Sequence, residues 1–266
     1  MARPLAVITG ASAGLGVVFA RKLAPDYDLL LIARRKERME SLAAGLSAQY
    51  GCSASILPSD LTSEADLAAV AERIAAEPRL ALLVNNAGFG ARGLFWESPL
   101  ETQQQMHSLH VLATLRLTHV ALASMVPRNT GAVINVASVA AFWQRSGSVS
   151  YGATKAWIAT FTEGLWLELK SIGSAVRVQA LCPGFTYTEF HDTLMIDRKK
   201  IAPSSMWLAP ELVVDESLKA LGSGKLFVVP GWRYRALVGL ISVLPIWLRL
   251  ALEAAGSAKN PRWNDL

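Results

Sequence analysis

Short runs of apolar and β-branched residues alternate along the chain with longer amphipathic stretches. Strands are predicted at Leu5–Thr9, Asp28–Ala33, Ser53–Pro58, Leu80–Val84, Ala132–Val136, Ala175–Leu181 and Leu226–Val229. Between them, helices are predicted from Gly14, up to Gln49, from Ser63, over Leu100–Met125 and from Tyr151 to Ile172. Runs such as Leu29-Leu30-Leu31-Ile32 have no polar face and must be covered on both sides. The fold class is therefore α/β: a doubly wound parallel sheet of about seven strands, with helices on both faces and right-handed crossovers. No internal repeat, low-complexity tract or flexible linker divides the chain, so residues 1–266 read as a single domain.

Composition fits a densely buried sheet, with 52% hydrophobic and 18% charged residues, and leaves apolar surface for self-association. The net charge of +5 comes from scattered Lys and Arg, without a basic run interleaved with aromatics, so nucleic acid is not an expected partner. Cys52 and Cys182 have no metal-ligand spacing and suit two small buried thiols in a reducing compartment. No metal site is expected, because His107 and His110 lack a third ligand nearby. The apolar run at the N-terminus ends in a glycine turn without a signal peptide's length or cleavage region, which points to the cytoplasm.

Tyr151 and Lys155 sit four residues apart in Tyr-Gly-Ala-Thr-Lys, and Ser138 ends the strand-like Gly131–Ala137 run. On a helix, i and i+4 share a face, so the Lys155 ammonium would lie beside the Tyr151 phenol and favour its ionised form. A phenol titrates near pH 10 when free, and a neighbouring cation lowers that value. Tyr151 then serves as an acid or base at a substrate oxygen, with the Ser138 hydroxyl donating a hydrogen bond to the same atom. Of the five tyrosines only Tyr151 has Lys at i+4.

The first strand runs into Thr9-Gly10-Ala11-Ser12-Ala13-Gly14-Leu15-Gly16, a strand-to-helix turn suited to close approach of a pyrophosphate. After the second strand the chain reads Ala33-Arg34-Arg35-Lys36, where an acid would be expected for a ribose 2′-hydroxyl. Arg34 and Arg35 can pair with a 2′-phosphate instead, which makes NADP(H) the expected cofactor. The plainer alternative is a solvated start to the next helix.

With these motifs in order and register, the chain resembles the short-chain dehydrogenase/reductase family over roughly residues 4 to 230. The likeness rests on the glycine turn, Asp60-Leu61, Asn85-Asn86-Ala87-Gly88, Ser138, Tyr151-x-x-x-Lys155 and Pro183-Gly184-x-x-x-Thr188. It implies a Rossmann fold, with Gly10, Ser12, Gly14, Leu15 and Gly16 at the pyrophosphate. It implies Asp60 and Leu61 near adenine and Asn86, Ala87 and Gly88 along the adenosine ribose. Pro183, Gly184, Thr186 and Thr188 would lie beside the nicotinamide carboxamide, and Lys155 would also bond the nicotinamide ribose. Catalysis is assigned to Ser138, Tyr151 and Lys155 on a small-molecule carbonyl or alcohol substrate of medium to large size, in a homodimer or homotetramer.

His110 stands where the family usually has an Asn that supports a helix kink and a water. Either it replaces that function, by keeping the backbone water site or by relaying protons through imidazole, or it is a packed helix histidine. A substrate lid is expected over about 185–208, where Phe185, Tyr187, Phe190, Met195, Met206 and Trp207 suggest an apolar pocket. Within the apolar C-terminal segment, about 231–255, the uncharged run Ala236–Leu248 is flanked by Arg233, Arg235 and Arg249 and is too short to span a bilayer. It reads as a lid or subunit contact, with peripheral membrane contact as the alternative. A non-catalytic NADP(H)-binding redox sensor is the second functional reading.

Overall fold

The computed structural model describes residues 2–192 and 202–258. Strands β1 (Leu5–Thr9), β2 (Asp28–Ala33), β3 (Ala54–Pro58), β4 (Leu80–Asn85), β5 (Ala132–Val136), β6 (Arg177–Leu181) and β7 (Phe227–Val228) form one parallel sheet in the order β3-β2-β1-β4-β5-β6-β7. Alternate residues of each strand supply two cores. Ala6, Ile8, Leu29, Leu31 and Val84 meet helices α1 (Gly14–Leu23) and α2 (Lys36–Tyr50) and α8 (Pro210–Gly222) on one face. Leu5, Val7, Leu30, Leu83 and Val133 meet α3 (Glu64–Ala75), α5 (Thr114–Arg128) and α6 (Val149–Ser171) on the other. A fully buried Leu, Ile or Val contributes about 1.5–3 kcal/mol, so two-sided burial of the central strands dominates the stability of the fold.

Several strand ends depart from expectation by one or two residues, with β4 running on to Asn85 and β6 starting at Arg177, and at β7 and β3 the reason is local. β7 is only two residues long, with Pro230 two residues past its end and without an N–H to continue the ladder. β3 begins at Ala54 because the Ser53 amide donates to the Asp28 carboxylate at 2.9 Å. The predicted Leu100–Met125 helix runs on to Arg128 as α4 (Leu100–His107), a π-helical segment (Ser108–Ala113) and α5. This 29-residue helix is long and apolar enough to cross a membrane by composition, yet Met106, Ala113, Leu117, Ala121 and Met125 bury its inner side in the protein. A four-residue α7 (Glu189–Asp192) precedes α8, and the C-terminal segment forms α9 (Trp232–Val243) and α10 (Ile246–Ala258), interrupted at Pro245.

Chain order reverses between β1 and β4, which opens a crevice at the carboxyl ends of the strands. At the opposite edge, Arg79 donates to Asp28 at 2.7 Å and to Glu77 at 3.2 Å. Burial alone would raise the Asp28 carboxyl, but the Ser53 amide and Arg79 more than offset it and hold the group below its usual value. A depressed carboxylate adds stability above the ordinary carboxylate pKa and loses it as pH falls through the depressed value. Arg79→Ala is therefore expected to destabilise the fold by about 1–2 kcal/mol at neutral pH, the exposed part of Arg79 moderating the effect. Urea unfolding of the variant and wild type should show that gap narrowing in acid.

Candidate active site

β5 ends beside the site. Ser138 leaves it as the cap of a 3-10 turn (Val139–Ala141), accepting from the Ala140 amide at 3.1 Å and donating to the Pro183 carbonyl at 3.4 Å. α6 starts at Val149 and carries Tyr151 and, one turn on, Lys155. The Lys155 ammonium donates to the Val136 carbonyl at 2.8 Å, at the last residue of β5, and lies 5.8 Å from the centre of the Tyr151 ring. The Ser138 hydroxyl lies close enough to the Tyr151 phenol to favour its ionised form. The expected trio is thus assembled at one strand end.

Its electrostatics differ from the expectation of a cation-lowered phenol. Burial raises the Tyr151 phenol above its ordinary value, and the nearby Ser138 hydroxyl only partly offsets this. Burial also brings the Lys155 ammonium down to about 8, against a smaller upward pull from Cys182. Among the protein's own groups, desolvation therefore outweighs the attraction between Lys155 and Tyr151. Cys182, behind Lys155, is pushed up to about 12 by burial and stays a thiol.

His110 lies in the π-helical segment, so the helix is distorted at this position although Asn is absent. Its Nε2 accepts from the Phe89 amide at 3.2 Å, which leaves Nδ1 to donate to Thr154 Oγ1 at 2.9 Å. Thr154 Oγ1 donates in turn to the Tyr151 carbonyl at 3.0 Å. Burial first, then Lys155 and His107, hold the imidazole well below its usual value, so it is neutral at physiological pH. His110 does not reach the cleft but stands behind Gly88, where a Cβ would come within 2.8 Å of its Nε2. This geometry corresponds to the packed, hydrogen-bonded alternative, and both ring nitrogens are engaged.

A cleft of about 1180 Å³ runs past these residues. At one end it is walled by Gly10, Ser12, Gly14, Leu15, Arg34, Arg35, Asp60, Leu61 and Asn86 to Gly88, and further along by Pro183, Gly184, Thr186 and Thr188. Gly10 has φ +67°, and a Cβ there would lie 2.8 Å from Asn86 Nδ2 and 2.9 Å from Ala87 Cα. Thr9 holds this corner by accepting from the Asn86 and Ala87 amides at 2.9 and 3.0 Å. α1 begins at Gly14 with neither a side-chain cap nor an acid in its first turn, so its amides and dipole favour an anion. Gly16 does not line the cleft; it packs on the Gly10 carbonyl, where no side chain fits. The donors and cradle fit a dinucleotide.

Beyond Tyr151 the walls become apolar. Phe185, Phe190 and Met206 line the cleft as expected. Tyr187 and Trp207 do not: Trp207 stacks on Phe185 at 5.3 Å and on Tyr187 at 5.2 Å, forming a layer outside the pocket. Met195 lies outside the described residues. α9 contributes Leu237, Val238 and Ile241, while its Tyr234 hydroxyl accepts from the Phe185 amide at 2.9 Å and donates to the Met206 carbonyl at 2.6 Å. The C-terminal segment is thus a wall of the cleft, and Trp232, Val243, Ile246 and Trp247 remain exposed on its outside. Phe89, Arg92, Trp143 and Arg145 also line the cleft, and the sequence carries no signal for them; Tyr234, Leu237, Val238 and Ile241 do share a helical three-to-four spacing.

A family profile for short chain dehydrogenases matches residues 4–199. The chain belongs to this family. The short-chain dehydrogenase from Sphingobium yanoikuyae in complex with NADPH is 35% identical, with a TM-score of 0.81, covering 91% of this chain and 97% of that one. The bulky-bulky ketone specific alcohol dehydrogenase from Comamonas testosteroni is 29% identical, with a TM-score of 0.77 over 92% of this chain and 96% of that one. Sulfoacetaldehyde reductase 2 of Chromohalobacter salexigens is 34% identical over 190 residues, 70% of this chain and 74% of that protein. As a short-chain dehydrogenase the chain is an oxidoreductase using a nicotinamide cofactor, and its glycine cradle lies at the switch point of the sheet.

A Lys155 ammonium lowered to about 8 is charged below that pH and neutral above it. Any step needing this cation should be complete at neutral pH and fade through about 8. Lys155→Arg, with a permanent charge, should remove that alkaline limb from cofactor affinity. A limb unchanged in Lys155→Arg would assign it elsewhere.

Proposed function

We propose that this short-chain dehydrogenase is an NADP(H)-dependent carbonyl reductase or alcohol dehydrogenase acting on an apolar, medium to large substrate. The observation that carries the reading is the Tyr151 and Ser138 hydroxyl pair, brought together on the cleft wall with Lys155 one helical turn behind. A reduced nicotinamide supplies hydride to the substrate carbon when bound. Tyr151 donates the phenolic proton to the carbonyl oxygen as negative charge builds there, and Ser138 holds that oxygen by a hydrogen bond. In the alcohol direction the same groups accept the proton. Lys155, charged and buried beside the phenol, compensates the phenolate left after proton transfer. The apolar walls from Phe185, Phe190, Leu237 and Ile241 exclude water and orient the substrate.

The cofactor preference is inferred from Arg34 and Arg35, which line the adenosine end where β2 finishes. That the Sphingobium relative was solved with NADPH, and that the Comamonas relative is described as bulky-ketone specific, supports both halves of the reading. Self-association is inferred through the outer faces of α5 and α6, which expose Leu115 and Leu167. Free, buried Cys52 and Cys182 are compatible with action in the reducing cytoplasm.

NADPH consumption against aldehydes, bulky ketones, steroids and acyl thioesters tests the activity. Tyr151→Phe should lower kcat by about a hundredfold or more while still binding NADPH. Cofactor binding without turnover across that panel would favour the sensor reading instead. Arg34→Ala with Arg35→Ala should raise the KM for NADPH about tenfold or more and spare NADH, since charge-assisted bonds to phosphate are lost. A higher kcat/KM with NADH in the wild type would end the NADP(H) preference.

A further inference from the structure

The arginines after β2 already face anions within the protein. Arg34 lies 3.8 Å from Asp60. Arg35 donates to Ser12 Oγ at 3.1 Å and to Glu189 at 2.9 Å. Arg38, in the first turn of α2, donates to both oxygens of the same Glu189 carboxylate at 2.7 and 2.9 Å. Glu189 opens α7, and its neighbour Thr188 sits over the glycine turn, within 3.2 Å of where a Gly14 Cβ would be. The segment leaving the Pro183-Gly184 loop thus crosses to the far end of the cofactor cleft, and a carboxylate at its tip meets two guanidinium groups there.

Two arginines converging on one anion form a fork geometry that suits a phosphate as well as a carboxylate. Resting on the NADP(H) reading, we propose that Glu189 occupies the place of the ribose 2′-phosphate and that Arg38 is a further arginine for that phosphate. NADPH must draw Arg35 and Arg38 away from Glu189, whereas NADH, with a hydroxyl at that position, leaves the pairs intact. Glu189 thereby sets how far NADPH is preferred. The exchange is accessible because all three side chains are about half exposed, at 45%, 52% and 47% for Arg35, Arg38 and Glu189. Exposure also keeps each pair weak enough for a dianion to displace. Hydrogen bonds from Arg35 and Arg38 hold the Glu189 carboxyl below its usual value, so it remains a competing anion throughout the working pH range.

Glu189→Gln keeps the shape and removes the charge, and dissociation constants for NADPH and NADH measured by fluorescence titration test the idea. The expected result is NADPH binding tightened about three- to fivefold with NADH unchanged. Arg38→Ala should weaken NADPH and not NADH, and Glu189→Gln should gain less in that background. Equal shifts for both cofactors, or none, would show Glu189 to be only a clasp on the segment and would overturn the proposal while leaving an NADPH preference in the wild type. A wild type that binds NADH more tightly would overturn the NADP(H) reading and this inference together.

Discussion

A buried ammonium held against the last carbonyl of a central strand fixes the catalytic arrangement. Lys155 is 5% exposed and bonds the Val136 carbonyl, which pins α6 to the end of β5. That contact places Tyr151 beside Ser138, which leaves the same strand two residues later. A cation in such a place costs stability unless it is paired and hydrogen-bonded, and its lowered pKa expresses that cost. The surroundings accommodate it with neutral groups: a Cys182 thiol and a neutral His110 imidazole.

The support behind this contact is polar and saturated. Asn85 Nδ2 donates to Thr118 Oγ1 and to Asn135 Oδ1, both at 2.9 Å, and Asn135 Nδ2 donates to Thr162 Oγ1 at 3.0 Å. These bonds tie β4, β5, α5 and α6 together beneath the active site, where apolar contacts alone would permit sliding. The His110–Thr154 link adds a second tie, from the Phe89 amide to the Tyr151 carbonyl, which joins the cofactor wall to the catalytic helix.

Much of this was legible in the chain because it depends on local rules. Two-sided strands such as Leu29–Ile32 announce a parallel sheet, and an i, i+4 pair on a helix shares a face. The glycine turn could be read for the same reason: Gly10 sits where only a residue without a side chain fits. What could not be read depends on distance across the fold. Nothing near Glu189 in sequence indicates that Arg35 and Arg38 lie beside it, 154 and 151 residues away. Trp207 looked like pocket lining but stacks outside it, because hydrophobicity says that a residue is buried and not which cavity it faces. The balance of burial against charge at Tyr151 likewise belongs to the assembled site rather than to spacing.

The central claim is that Lys155, together with an oxidised nicotinamide, brings a buried phenol into the range of useful proton transfer. Ultraviolet difference titration of tyrosinate in the wild type against Tyr151→Phe isolates that one phenol. The account predicts titration above the ordinary tyrosine value for the protein alone and clearly below it with NADP⁺ bound. A Tyr151 titration that NADP⁺ leaves in place would contradict it.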